Sequence, residues 1–312
     1  HKNLSIEDQI AMVDKVKRSE SGMIQNPISL GETKTIGEAR DLMAHYRISG
    51  LPVVKGKKLI GILTNRDIRF ETDLNLKVRD RMTSKNLVTV PVGTTLEKAK
   101  IILQKHRIEK LLVVNKRGTL VGLITVKDIQ KKEQFPHACK DDGGRLRVGA
   151  AVGVGNDLIE RAQALESAEV DVIVLDSAHG HSKGILDAVA QLKKLFKSTQ
   201  VIAGNVATPE GTKALIDAGV DAVKIGIGAG ASCTTRIIAG VGFPQFSSIL
   251  NCVESAQKKN IPVIADGGIR YSGDIAKSLA AGADTVMLGS LLAGAEECPG
   301  ETILFEGRQY KS

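Results

Sequence analysis

The sequence predicts an α/β fold built on a parallel sheet, with a smaller α+β repeat lodged in its N-terminal part. Three observations carry this. From Arg147 onward, short apolar runs alternate with amphipathic stretches; glycines and polar residues follow almost every one of those runs; and residues 22–134 state one pattern twice at a spacing of about 60 residues. At 312 residues the chain is long enough for about two domains with real cores. Its 42% hydrophobic and 25% charged composition is that of a globular protein, and no apolar run reaches the length of a membrane span. With 32 glycines but only six phenylalanines, three tyrosines and no tryptophan, base stacking on single-stranded nucleic acid is disfavoured, and neither a membrane nor a specific nucleic acid is expected as partner.

The net charge of +8 is unevenly placed: residues 1–140 hold 27 Lys/Arg against 15 Asp/Glu, and residues 141–312 hold 16 against 20. Glycine runs the other way, nine and then 23. Two compositions imply two architectures, the basic one suited to anions such as nucleotide phosphates. Cys139, Cys233, Cys252 and Cys298 form no CxxC pair and no zinc-type cluster, so a disulfide framework is not indicated and a reducing, cytoplasmic setting is expected. Because the first residue is His1 and no signal peptide is visible, the numbering is expected to begin inside a longer chain.

The basic stretch repeats itself. Thr35-Ile-Gly-Glu-Ala aligns with Thr95-Leu-Glu-Lys-Ala, and Arg47-Ile-Ser-Gly-Leu-Pro-Val-Val with Arg107-Ile-Glu-Lys-Leu-Leu-Val-Val. Gly61-Ile-Leu-Thr-Asn-Arg-Asp-Ile aligns with Gly122-Leu-Ile-Thr-Val-Lys-Asp-Ile. Three matched blocks in one order mark an internal repeat. Each copy reads as a Thr followed by a helix (Ala39, Leu42, Met43, Tyr46; Ala99, Ile102, Leu103, His106), a strand, a Gly turn, a second strand and a further helix start. Thr35 and Glu38 have the spacing of a capping box. A unit of this size has little core of its own, so the copies are expected to pack as a pair. The blocks resemble a tandem pair of cystathionine β-synthase-type (CBS) modules, about 22–78 and 79–134. The resemblance implies regulatory purine-nucleotide sites at Thr64, Arg66 and Asp67 and at Thr125, Lys127 and Asp128, each Asp meeting ribose hydroxyls. Read from residue type alone, Thr and Asp at these positions are also ordinary helix-start residues, and capping a helix is the lesser alternative.

In the Gly-rich part the strand candidates are Val148–Val154, Val172–Leu175, Val201–Ala203, Ala222–Ile225, Val263–Ala265 and Thr285–Leu288. Strands separated by helices give a parallel sheet. Asp176-Ser-Ala-His-Gly-His, Gly204-Asn205, Gly226-Ile-Gly-Ala-Gly, Asp266-Gly-Gly and Gly289-Ser290 all fall at the same strand ends. Convergence at one mouth is the pattern of a TIM (β/α)8 barrel, whereas a doubly wound sheet gathers its site at a single switch point. Six strands of eight are visible, so strands one and two are expected before residue 1. Residues 1–21 would then hold the helix after strand two (Ser5–Arg18), residues 22–134 an insertion, and residues 135–312 barrel strands three to eight. Gly267-Gly268 and Gly289-Ser290, after the seventh and eighth strands, stand where barrels bind phosphate through backbone N–H groups. No G-x-G-x-x-G fingerprint is present at Gly226–Gly230, so any NAD is bound without a Rossmann fold.

Cys233, in Gly228-Ala-Gly-Ala-Ser-Cys-Thr-Thr-Arg236, is a candidate nucleophile at the barrel mouth. This loop, with Asp176 to Ser182, Ala203 to Thr208, Ala265 to Ile269 and Met287 to Ser290, resembles the inosine 5′-monophosphate (IMP) dehydrogenase family over essentially the whole chain. The resemblance implies that Cys233 attacks C2 of IMP, that hydride leaves to NAD, and that hydrolysis yields XMP, the committed step of guanine nucleotide synthesis. It implies Asp266 on the ribose hydroxyls, Gly267, Gly268, Gly289 and Ser290 about the phosphate, and Asn205 and Thr235 beside the base. Asp176, Ser177, His179, Gly226 and Gly228 would line the NAD site, and the carbonyls of Gly228, Gly230 and Cys233 would help hold potassium. A metal at His179 and His181 is set aside, because the family places that loop along NAD. A homotetramer or larger oligomer is implied, with ATP and GTP acting at the CBS pair.

Two departures stand out. Ala229, Ala231 and Ser232 replace the family's usual Pro, Ser and Ile, and losing the Ser hydroxyl removes a phosphate donor worth roughly 0.5–1.5 kcal/mol. The chain also ends at Ser312, before the family's water-activating flap, so hydrolysis is assigned to no residue. The alternatives are a GMP reductase, disfavoured because most reductases lack the CBS pair, and a non-catalytic nucleotide sensor.

Overall fold

The computed structural model describes residues 1–19, 23–295, 298, 301–305 and 308–311. Two compact units emerge, one of residues 15–147 and one of residues 1–14 with 148–312. Helix α1 (Ile6–Ser19) opens the chain.

In residues 15–147, β1 (Ile24–Gln25) precedes two copies of one motif. The first is β2 (Leu30–Gly31), α2 (Ile36–Tyr46), β3 (Gly50–Lys55), β4 (Lys58–Thr64) and α3 (Asn65–Ile68). The second is β5 (Thr89–Pro91), α4 (Leu96–His106), β6 (Lys110–Val114), β7 (Leu120–Thr125) and α5 (Val126–Gln134). In each, the first strand runs parallel to the second and the second antiparallel to the third. Both hairpins shift register at a valine pair, Val53/Val54 and Val113/Val114. Both long helices end on a left-handed arginine, Arg47 at φ 52° and Arg107 at φ 51°. Thr35 and Glu38 form the expected reciprocal capping box, and the Thr95 hydroxyl accepts from the Lys98 N–H.

The copies depend on each other. Ile24–Gln25, ahead of the first copy, pairs with β7 of the second, while Thr83, ahead of the second, bridges Ile62 of the first. Met82 accordingly packs on the core of Leu51, Val53 and Leu63, and Met23 on that of Leu111, Val113 and Ile124. Each sheet is finished by the other copy's lead-in, which explains why the pair forms one compact unit.

The other unit alternates β8 (Gly149–Val152), α6 (Leu158–Ser167), β9 (Val172–Asp176), α7 (Lys183–Leu195), β10 (Gln200–Val206), α8 (Pro209–Asp217) and β11 (Ala222–Ile225). It continues with α9 (Thr235–Ile238), α10 (Gln245–Gln257), β12 (Val263–Asp266), α11 (Ser272–Ala280) and β13 (Thr285–Met287), then a hairpin of β14 (Thr302–Phe305) and β15 (Arg308–Lys311). The six strands β8 to β13 form one parallel sheet in chain order, with no reversal and hence no switch point. This is a mixed α/β protein with a parallel half-barrel sheet. Ile173, Leu175, Val201, Ala203, Val223 and Ile225 on the strands pack against Leu165, Leu192 and Leu215 of the helices.

Register is locked at the strand starts by three aspartates. Asp171 Oδ2 accepts from Val148 N at 2.6 Å, Asp221 Oδ2 from Val201 N at 2.7 Å, and Asp284 Oδ2 from Val263 N at 2.8 Å. Each aspartate returns its own N–H to the carbonyl of the same residue. The strands are therefore tied in pairs, β8 to β9, β10 to β11 and β12 to β13.

In residues 15–147, Lys17 Nζ lies 3.0 Å from Asp141 Oδ2, the two side chains only 4% and 14% exposed. Burial pushes the Asp141 carboxyl up, but hydrogen bonds from the Arg145 backbone and Lys17, with both cations' charge, outweigh it and hold the pKa at about 2. That lies below the unfolded value of about 3.9, so the stabilisation is complete above about pH 4 and is lost as pH falls through about 2. Asp141→Asn is expected to lower the urea midpoint at neutral pH, and the gap from wild type should close progressively between about pH 4 and 2.

Candidate active site

A cavity of about 290 Å3 opens at the C-terminal ends of β9 to β12. It gathers Asp176, Ser177, Asn205, Gly226, Gly228, Cys233, Thr235 and Asp266, residues separated by up to 90 positions in the chain, as well as Lys2 and Lys224. Gly226 is required where it stands: at φ 143°, an added Cβ would lie 2.1 Å from the Asp266 carbonyl oxygen.

Lys224 is the residue that sequence reasoning missed. It interrupts the apolar strand β11 and is 3% exposed, yet its ammonium lies 3.0 Å from Asp176 Oδ1 and 2.5 Å from Asp266 Oδ2 and donates to Asn205 Oδ1. Gly204, paired with Lys224 in the sheet, makes room for it, since a Cβ there would lie 2.8 Å from the Lys224 Cβ. Asn205 Nδ2 donates to Gly226 O at 2.7 Å and to Asp266 Oδ2 at 3.0 Å. Lys2 Nζ donates to the Asp176 carbonyl at 2.8 Å and lies 3.5 Å from its Oδ2. Burial raises the Asp176 carboxyl, but Lys224 and Lys2 together pull it below the ordinary carboxylate value. The available signal was a lone Lys inside Ala222–Ile225, two residues before the first loop glycine.

Cys233 Sγ lies 3.3 Å from Thr235 Oγ1. The Thr235 hydroxyl and backbone N–H stabilise the thiolate and, with the Arg236 charge, bring the Cys233 pKa below its ordinary value against a small burial effect. Cys252, by contrast, is buried, which pushes its thiol up. Arg236 Nε donates to Gly228 O at 2.7 Å and its Nη2 to Phe243 O at 3.0 Å, while Cys233 N donates to Gly230 O at 3.1 Å.

The remaining predicted positions lie outside this cavity lining. His179 is exposed. A Cβ on Gly267 would lie 2.9 Å from Gly230 N, so the loop after β12 backs directly onto the cysteine loop. Gly268 faces Gln245 and Ala229, and Gly289 and Ser290 are exposed after β13. Ala231 and Ser232 are also exposed, and nothing in the structure explains their identity.

In residues 15–147, Thr64, Arg66 and Asp67 line one cavity of about 570 Å3, and Thr125, Lys127 and Asp128 another of about 600 Å3. Ser49, Glu109 and Lys110 line both, with Lys110 Nζ 2.8 Å from Ser49 Oγ. Asp67 and Asp128 act as helix caps here, each accepting from the N–H and hydroxyl of the cap threonine three residues before it. Asp128 is 8% exposed, and burial raises its pKa.

A half-barrel sheet whose strand ends gather a thiol of lowered pKa, two carboxylates and a buried ammonium defines an α/β protein with a polar, nucleophile-bearing mouth. Across residues 1–312 the chain matches the family described as "IMP dehydrogenase / GMP reductase domain", and it belongs to that family. It is 58% identical to the inosine-5'-monophosphate dehydrogenase of Aquifex aeolicus and 57% identical to that of Halalkalibacterium halodurans, in each case covering 100% of this chain and 64% of the relative. The chain thus spans a little under two thirds of the curated relatives it matches. Among solved structures, a Trypanosoma brucei GMP reductase in complex with guanosine 5'-monophosphate matches 100% of this chain and 67% of its own, at 40% identity and a TM-score of 0.89. The same enzyme in complex with guanosine 5'-triphosphate matches 96% of this chain and 73% of its own, at 41% identity and a TM-score of 0.87. No helix among the described residues is long and apolar enough to cross a membrane.

Cys233 should alkylate with iodoacetamide faster than Cys252 at neutral pH, and Thr235→Val should slow it by moving the midpoint of the rate–pH profile upward. Site-resolved mass spectrometry checks both.

Proposed function

We propose that this protein oxidises IMP to XMP with NAD⁺ through a covalent adduct on Cys233. The observation that carries the reading is the placement of a thiol of lowered pKa in one cavity with Asp266 and Asp176. The Cys233 thiol first loses its proton to solvent, and the thiolate then bonds to C2 of the hypoxanthine. NAD⁺, when bound, supplies a two-electron acceptor for the hydride that leaves C2. Water then adds at C2, the C–S bond breaks, and XMP leaves with the thiolate restored. The balance is IMP, NAD⁺ and water to XMP, NADH and a proton.

Asp266 keeps Oδ1 clear of the Lys224 and Asn205 contacts and would accept from the ribose hydroxyls of IMP, with Asn205 and Thr235 beside the base. Asp176 lies next to Ser177 with its carboxyl part-exposed, which suits a cofactor ribose. Gly267, Gly268, Gly289 and Ser290 would surround the phosphate. The carbonyls of Gly228, Gly230 and Cys233 would help hold a potassium ion, with Gly228 O also accepting from Arg236 Nε at 2.7 Å, and no step runs through the ion. The repeat pair is read as CBS modules binding ATP or GTP in the two cavities, and the assembly as a homotetramer or larger in the cytoplasm. A closed (β/α)8 barrel completes this reading.

GMP reductase remains the second reading, because the Trypanosoma brucei reductase matches the whole chain, repeat included. The insertion therefore does not separate the two activities, contrary to the expectation above. The higher identity, 58% and 57% to dehydrogenases against 40% to the reductase, favours the oxidation.

Incubation with IMP and NAD⁺ should yield NADH, and Cys233→Ala should bind IMP without turnover. NADPH-dependent loss of GMP, with no NADH from IMP, would overturn the dehydrogenase reading, and neither activity alongside ATP binding would favour the sensor. Asp67→Ala with Asp128→Ala should weaken ATP and GTP binding by calorimetry. Unchanged titrations would leave both residues as helix caps.

A further inference from the structure

Lys224 has no direct part in the chemistry above, yet it is the most constrained charge in the site. An ammonium has three donors. All three are spent within the protein, on Asp176 Oδ1, Asn205 Oδ1 and Asp266 Oδ2. No donor remains for a ligand, so any effect on binding must pass through those three side chains. The partners come from different strands, Asp176 from the end of β9, Asn205 from β10 and Asp266 from the end of β12. Each carboxylate gives Lys224 one oxygen; Asp266 retains the other, while the second oxygen of Asp176 faces solvent with Lys2 Nζ 3.5 Å away.

We propose that Lys224 is a positioning residue shared by two ribose subsites: one buried ammonium orients Asp266 toward the hydroxyls of the substrate and Asp176 toward those of the second nucleotide. This rests on the reading of Asp266 and Asp176 given above. A ribose cis-diol offers two donors, and an ionised carboxylate held in a fixed rotamer is their natural acceptor. Without the ammonium, two carboxylates facing one small cavity would repel each other and favour protonation of one. Asn205 reinforces the arrangement, since its Nδ2 is committed to Asp266 and to Gly226 O, leaving its Oδ1 for Lys224.

The test compares wild type with Lys224→Met, Asp266→Asn and Asp176→Asn by calorimetry with IMP and with NAD⁺ across pH. Asp266→Asn should weaken IMP alone and Asp176→Asn should weaken NAD⁺ alone. Lys224→Met should weaken both, each by roughly tenfold, the equivalent of one pKa unit. The acid limb of the NAD⁺ binding curve should also move to higher pH. In the Asp266→Asn background, Lys224→Met should cost IMP much less than in wild type. A Lys224→Met protein with an unmoved acid limb, or with only one ligand affected, overturns the proposal. Should Lys224→Met not fold, Lys224→Gln, which keeps a donor but no charge, carries the same comparison. If wild type binds neither nucleotide, it is the functional reading that fails. The Lys224 assignment is then judged on ligand-free protein: the Asp176 carboxyl carbon must titrate at higher pH in Lys224→Met by NMR, and an unchanged titration overturns it.

Discussion

One buried ammonium organises the mouth of the half-barrel. Taking a lysine out of water costs several kcal/mol unless its donors are met, and the cost is offset only by good geometry on every donor. Lys224 obtains that geometry from three acceptors at the ends of neighbouring strands, so the ends of β9, β10 and β12 cannot drift without stranding the charge. The small residues around it follow from this. Gly204 lets the Lys224 backbone come close, and Gly226 lets the next loop turn over Asp266. The cysteine loop then leaves from that turn, which puts the thiol in the same cavity as the carboxylates.

Much of this was legible in the residue order. The repeat announced itself because its matched blocks carry the cap threonines, the strand valines and the turn glycines together, features whose spacing local structure dictates. Each of the six apolar runs holds one strand for the same reason, and the polar tails of the runs pointed to the end of the sheet where the cavity lies. Lys224 was hidden because its meaning is not local: its partners lie 19 to 48 residues away, and a single Lys in a four-residue strand carries no periodic signature. His179, three residues beyond Asp176, is exposed and lies outside the cavity lining, because adjacency along the chain says little once a strand has ended.

The duplicated unit solves a different problem. Each copy alone has a small apolar cluster and a sheet of three strands, too little to stand securely by itself. Exchanging the lead-in segments gives each hairpin an additional neighbour and each core a methionine from outside its own copy. Two-residue strands such as Ile24–Gln25 are too short to be read from sequence, and for that reason the pairing appeared only in three dimensions. Lys110 and Ser49 sit on the wall common to the two cavities that result, so a charge entering either one is felt by the same lysine.

The aspartate locks at the strand starts give the sheet a grain. Asp171, Asp221 and Asp284 stitch strands two by two, leaving the joints between β9 and β10 and between β11 and β12 without that stitch. The chain passes from residue 14 through the whole duplicated unit and returns at Val148, immediately ahead of the first stitched couple. More than a hundred residues therefore enter without parting any couple, and the two unstitched joints are where this architecture would tolerate a further graft. A graft that parted β10 from β11 would instead have to break the two hydrogen bonds that Asp221 exchanges with Val201.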